Sequence, residues 1–149
     1  MKVVLSVAGL DEGTAGQRWC LEHLARGDTV IAVLGVNPLA DFVLSIPPLD
    51  ALDGENELLA DVTRHYCVPL NAAGIACEPR LLPYQQGRAV MDVARAEHAD
   101  LIVAGKRPHG RLGDIFLEGT ATQVVHHPPC PVVVVPTDCI RADATETRR

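Results

Sequence analysis

The sequence predicts an α/β fold, a single domain in which βαβ units wrap a parallel sheet. Three observations carry that prediction. Short β-branched runs alternate along the whole chain with longer segments of helical periodicity. The run Asp100-Leu-Ile-Val-Ala-Gly105-Lys-Arg-Pro-His-Gly110, closed by Cys130-Pro-Val-Val-Val-Val-Pro136, reads as a buried strand, a glycine-bearing basic loop, a helix and a second buried strand. A chain of 149 residues with 48% hydrophobic content suits one substantial core.

Each element has a local reason. Residues 3–8 are the first strand candidate. Residues 14–26 predict a helix with Trp19, Leu21 and Leu24 facing inward and Gly27 as its stop. Residues 28–36 predict strand two through Val30, Ile31, Val33 and Leu34, and a proline-containing loop follows. Helix two is expected over 55–73, with Leu58, Leu59, Val62 and Tyr66 at helical spacing. Pro69 should kink or break it, because the ring removes a backbone donor. Beyond Gly74, residues 75–82 predict strand three, and residues 88–97 a third helix with Val90, Val93 and Ala94 inward. Strand four is expected at 101–104, a fourth helix at 114–127 and strand five at 132–135. The folded domain spans 1–136, and 137–149 predict a disordered tail.

Composition narrows the function. A net charge of -6 with 21% charged residues argues against a general nucleic-acid or membrane-binding surface. Aromatic residues are 3%, too few for base-stacking platforms. The five cysteines are scattered, and no Cys-x-x-Cys or Cys/His spacing marks a metal site, so reduced thiols in a cytoplasm are expected. Cys20 and Cys130 read as inert core thiols. No secretory leader and no membrane-length apolar run are recognised. Adjacent His126 and His127 fit a helix C-terminus better than a metal, since neighbours on a helix face apart. Ser6 and Ser45, the two serines, lack a nucleophile-elbow setting, so no catalytic residue is assigned.

From strand four onward the chain resembles the universal stress protein family. Asp100-Leu-Ile-Val-Ala-Gly105 matches its "DLIVMG" turn. Glu118 to Pro131, with Val124-Val125-His126-His127-Pro-Pro-Cys-Pro and four valines after it, matches its last helix and strand without a gap. The resemblance implies a doubly wound, five-stranded parallel sheet of order 3-2-1-4-5 with four helices, an adenine nucleotide alpha hydrolase-like architecture, and commonly a homodimer.

Members that bind ATP carry Gly-x2-Gly-x9-Gly-Ser/Thr after strand four. Glycines there let backbone amides approach the phosphates at a helix N-terminus. Gly105 matches the first glycine, but Pro108 stands at the second, and Glu118 and Gly119 stand where Gly and Ser/Thr are expected. A one-residue slip restores a literal Gly119-Thr120. After strand one, Ala8-Gly9-Leu10 replaces the family's Asp-Gly-Ser, with Asp11 displaced by three positions. Lys106, Arg107, His109 and Arg111, interrupted by Gly110 and Gly113, form the one dense basic cluster. The candidate nucleotide or anion site is therefore Val7, Ala8, Gly105, Lys106, Arg107, Gly110, Arg111, Gly119 and Thr120.

The implied ligand is ATP or AMP, or a bare phosphate anion, in a degraded site that binds ATP weakly or not at all. No further cofactor and no metal are implied. Family topology puts strand five at a sheet edge, and its Val132, Val133, Val134 and Val135 are the candidate dimer interface. The reading that results is a dimeric binding and signalling module of the stress response. An ATP-dependent switch with slow hydrolysis and a purely structural dimerisation partner are the alternatives.

Overall fold

The computed structural model describes residues 1–8, 10–36, 51–106 and 127–137. In chain order these form β1 (Lys2–Ser6), α1 (Leu10–His23), β2 (Thr29–Gly35), α2 (Ala51–Val62), a π-helical stretch (Thr63–Cys67), α3 (Val68–Ala72), β3 (Ala76–Leu82), α4 (Gln86–Ala96), β4 (Leu101–Lys106) and β5 (Val132–Pro136). The strands are all parallel and lie in the order β3-β2-β1-β4-β5, as the resemblance implied. The predicted helix over 114–127 lies outside the described residues except for His127, which is exposed and outside any regular element.

β1 is central because it pairs on both sides, Val4 with Ile31 of β2 and with Ile102 of β4. Side chains alternate across a strand, so each strand feeds two cores. Val3, Leu5, Val30, Ala32 and Val103 point to the face packed by Cys20, Val62, Tyr66, Cys67 and Leu70. Val4, Ile31, Val33 and Ile102 point to the opposite face, against Ala89, Val90, Val93 and Ala94 of α4. Coverage on both faces is why the inner strands read as continuous apolar runs.

α1 begins four residues before the expected start, with Asp11 and Glu12 in its first turn, where negative charge opposes the helix dipole. Gly27 adopts φ +97°, the left-handed turn that leads into β2. Trp19 and Leu24 pack on the core as expected, but Leu21 is exposed. Leu58 and Leu59 are exposed as well, while Val62 and Tyr66 are buried.

Pro69 does not break the helical path. The Val68 N–H reaches the Thr63 carbonyl, one residue further than in an α-helix, and Pro69 falls in the first turn of α3, where its missing donor is least costly. The His65 carbonyl, four residues before Pro69, accepts instead from Gln17 Nε2 at 2.8 Å, and the Tyr66 carbonyl accepts from the same nitrogen at 3.1 Å. A buried α1 side chain thus replaces the donor that proline removes.

Candidate functional site

In a sheet of this order the topological switch lies between β1 and β4, and the crevice opens at their carboxyl ends. The β1–β4 register, Leu5 against Val103, sets those two ends side by side. Val7 extends β1 by donating its N–H to the Val33 carbonyl at 3.1 Å, and its side chain is buried in the α1-side core. It supports the crevice from below. Ala8, half-buried, is the last described residue before α1. At the end of β4, Gly105 is buried and Lys106 is exposed, aligned with Pro136 of β5. The Lys106 carbonyl accepts from the Thr137 N–H at 3.0 Å.

Gly105 has a structural reason that motif matching missed. A Cβ built there would lie 2.5 Å from Glu12 Cα and would also run into the Glu12 carbonyl oxygen. The first turn of α1 passes directly over the end of β4, and only glycine allows it. That packing brings the acidic turn of Asp11 and Glu12 against the site. Glu12 also acts on Tyr66, whose phenol is pushed up by burial and further by the Glu12 charge. The Tyr66 ring lies against Gly13, where a Cβ would come within 2.7 Å of Cζ.

Gln86 is a second feature not singled out from sequence. Its Oε1 accepts from the Gly35 N–H at 2.5 Å, while Nε2 donates to the Val33 carbonyl at 2.7 Å and to Ser6 Oγ at 3.1 Å. This one amide ties the carboxyl ends of β1 and β2 to the start of α4. Gly35 allows it, because a Cβ would sit 2.5 Å from the Tyr84 carbonyl oxygen and 2.8 Å from Gln86 Cα. The only advance signal was an amide at a helix start beside a strand end. Nearby, Val36, Glu55, Asn56, Leu59, Leu81 and Leu82 line a groove of about 390 Å³.

The structure therefore sets β1 and β4 side by side, with Val7 and Ala8 following the end of β1 and Gly105 and Lys106 ending β4. Arg107, Gly110, Arg111, Gly119 and Thr120 lie outside the described residues, as do Pro108, His109, Gly113 and Glu118. Cys20 is wholly buried, and burial pushes its thiol up to about 12. Cys130 is half-buried rather than fully enclosed, with its thiol raised by burial and then by Asp100.

Residues 1–136 match the universal stress protein family. A universal stress protein of Thermus aquaticus is 32% identical over 118 residues, covering 76% of this chain and 82% of the relative. One from Synechocystis is 37% identical over 62 residues, which are 42% of this chain, and the match spans 40% of that relative's length. Among solved structures, a universal stress protein in complex with cAMP superposes with a TM-score of 0.68 at 19% identity, covering 92% of this chain and 97% of that one. An Arabidopsis thaliana family member with AMP bound gives 0.62 at 11% identity, with 91% of each chain covered.

Proposed function

Because this chain belongs to the universal stress protein family, we propose that it is a dimeric binding and signalling module of the stress response with a weakened adenine-nucleotide site. The observation that carries this reading is the acidic first turn of α1 lying on Gly105, at the end of the strand from which the phosphate loop departs. The Glu12 carbonyl oxygen rather than a free amide lies against Gly105 there, and the sequence adds Glu118 and the donorless Pro108 in the loop itself. The bound cAMP and AMP of the two structural neighbours favour an adenine nucleotide over a bare anion as the residual ligand. Lys106, with Arg107 and Arg111 of the loop, supplies the positive charge.

Lost charge-assisted hydrogen bonds cost about 1.5–3 kcal/mol each, and every 1.4 kcal/mol is about tenfold in affinity. Calorimetric titration with ATP, AMP and inorganic phosphate is the test. ATP affinity weaker than micromolar is expected, with a gain in the Pro108→Gly, Glu118→Gly double variant. Submicromolar ATP binding by the parent protein would overturn the reading. It would favour the ATP-dependent switch, whose own support is the literal Gly119-Thr120 pair. That switch requires nucleotide retained through purification and slow release of phosphate from ATP.

A further inference from the structure

Two cysteines that the sequence separates by nine residues meet at the far end of the sheet from this site. We propose that Cys67 and Cys77 form a redox modification site, a dithiol that hydrogen peroxide converts to an intramolecular disulfide. The Cys77 thiol donates to Cys67 Sγ across 3.0 Å, so the two sulfurs are already in contact. Cys67 closes the π-helical stretch, and Cys77 is the second residue of the edge strand β3. Asn71 holds the partner strand in place. Its Oδ1 accepts from the Cys77 N–H at 2.8 Å and its Nδ2 donates to the Cys77 carbonyl at 3.5 Å. The Ile75 N–H bonds the Leu70 carbonyl at 3.0 Å and closes the intervening turn.

The two sulfurs are not equivalent. Cys67 is 1% exposed, whereas Cys77 is half-buried and borders a cleft of about 360 Å³ shared with Lys2, Thr29, Asn71 and Glu78. A molecule of peroxide size reaches the pair through that cleft. The hydrogen bond from Cys77 lowers the Cys67 thiol, against burial and the Glu78 charge, while donating that bond and being buried push Cys77 up. The sulfur that this bond lowers therefore has its resolving thiol already in contact. Among the described residues, the other two cysteines do not compete. Cys20 is wholly enclosed, and Cys130 packs against the opposite face of the sheet.

The chemistry balances with peroxide as the oxidant. The thiolate sulfur of the pair attacks one peroxide oxygen, the O–O bond breaks, and the departing hydroxide takes up a proton to leave as water. The partner thiol then attacks the sulfenic sulfur, the S–S bond forms, the S–O bond breaks, and a second water leaves. Two thiols and one peroxide become one disulfide and two waters.

The test uses the full chain, titrated with hydrogen peroxide, then denatured, alkylated and mapped by mass spectrometry. The expected product is a species joining the Cys67 and Cys77 peptides, lighter by about 2 Da for the two hydrogens removed and separated again by dithiothreitol. Cys20 stays alkylatable throughout. In Cys77→Ser, whose hydroxyl can still donate to Cys67, the Cys67 sulfenic acid has no resolving partner and is trapped by dimedone added with the denaturant. The proposal is overturned if both thiols remain fully alkylatable at peroxide levels that oxidise free glutathione. It is equally overturned if oxidation ends in sulfinic acid without a link, or if either cysteine pairs with Cys20 or with a second copy. Mapping of the parent protein decides the matter even if the serine variant does not fold.

Discussion

At the scale of single residues, the glycines divide by what would replace the missing side chain. Gly105 faces the backbone of Glu12, which cannot move without displacing the first turn of α1. Gly105→Ala should therefore destabilise by about 1–3 kcal/mol, the cost of overpacking, seen as a lower urea midpoint at an unchanged slope. Gly13 faces the ring end of Tyr66, and alanine there also gains about 1 kcal/mol of helix propensity. Gly13→Ala should cost less than Gly105→Ala in the same measurement. Gly105 was legible as part of a phosphate-loop motif, but its contact with α1 was not, because residue 12 and residue 105 are neighbours only after the sheet forms.

At the scale of elements, the chain from Ala51 to Ala72 shows how a local rule is overridden. Pro69 predicted a kink or a break, and the helical path is kept by one widened turn and by a donor from a different helix. Gln17→Leu should leave the carbonyls of His65 and Tyr66 without that donor, at about 1–3 kcal/mol for buried unsatisfied groups. Pro69→Ala supplies an N–H that can reach the His65 carbonyl, so the double variant should recover part of the loss. A thermodynamic cycle of the four proteins measures that coupling.

The two edge strands differ in the same element-level terms. β3 carries Glu78, Pro79 and Arg80, features that discourage pairing with another chain. β5 presents four half-buried valines between Pro131 and Pro136, and among the described residues it pairs only with β4. That contrast supports the proposal of an antiparallel dimer about a two-fold axis through β5. Val133→Lys or Val134→Lys should shift light scattering from dimer to monomer. A monomeric parent, or a dimer indifferent to both charges, removes β5 from the interface.

At the scale of the whole molecule, charged side chains tie the ends of the elements together. Glu97, just past α4, accepts from Arg80 of β3 at 2.6 Å and from Lys2 of β1 at 3.4 Å. Asp100 Oδ2 accepts from the Lys2 N–H at 2.8 Å. The Arg80 hydrogen bond and charge, with help from Lys2, hold the Glu97 carboxyl below its ordinary value of 4.5. A depressed carboxyl stabilises the fold above its unfolded pKa, and that contribution is lost as pH falls through the folded value. Thermal stability should therefore decline in acid below about pH 4.5, and Glu97→Gln should flatten that part of the profile while costing little at neutral pH.

The motifs from Asp100 to Pro136 were enough to identify the family, and periodicity was enough to determine the order of the described strands and helices and the inner face of α4 at Val90, Val93 and Ala94. These follow from local rules, because a strand buried on both faces must be apolar throughout and a helix must be apolar on one side. Leu21, Leu58 and Leu59 show the limit of such rules, since periodicity marks an apolar face without saying how much of it a neighbour covers. Tertiary structure alone decided that Gln17 serves the helix carrying Pro69, that Gln86 joins the ends of β1 and β2, and that Cys67 meets Cys77. Each of these depends on the parallel crossovers that bring distant segments together. Hydrogen bonds and sulfur contacts act over about 3 Å, a distance that folding creates and residue spacing does not encode.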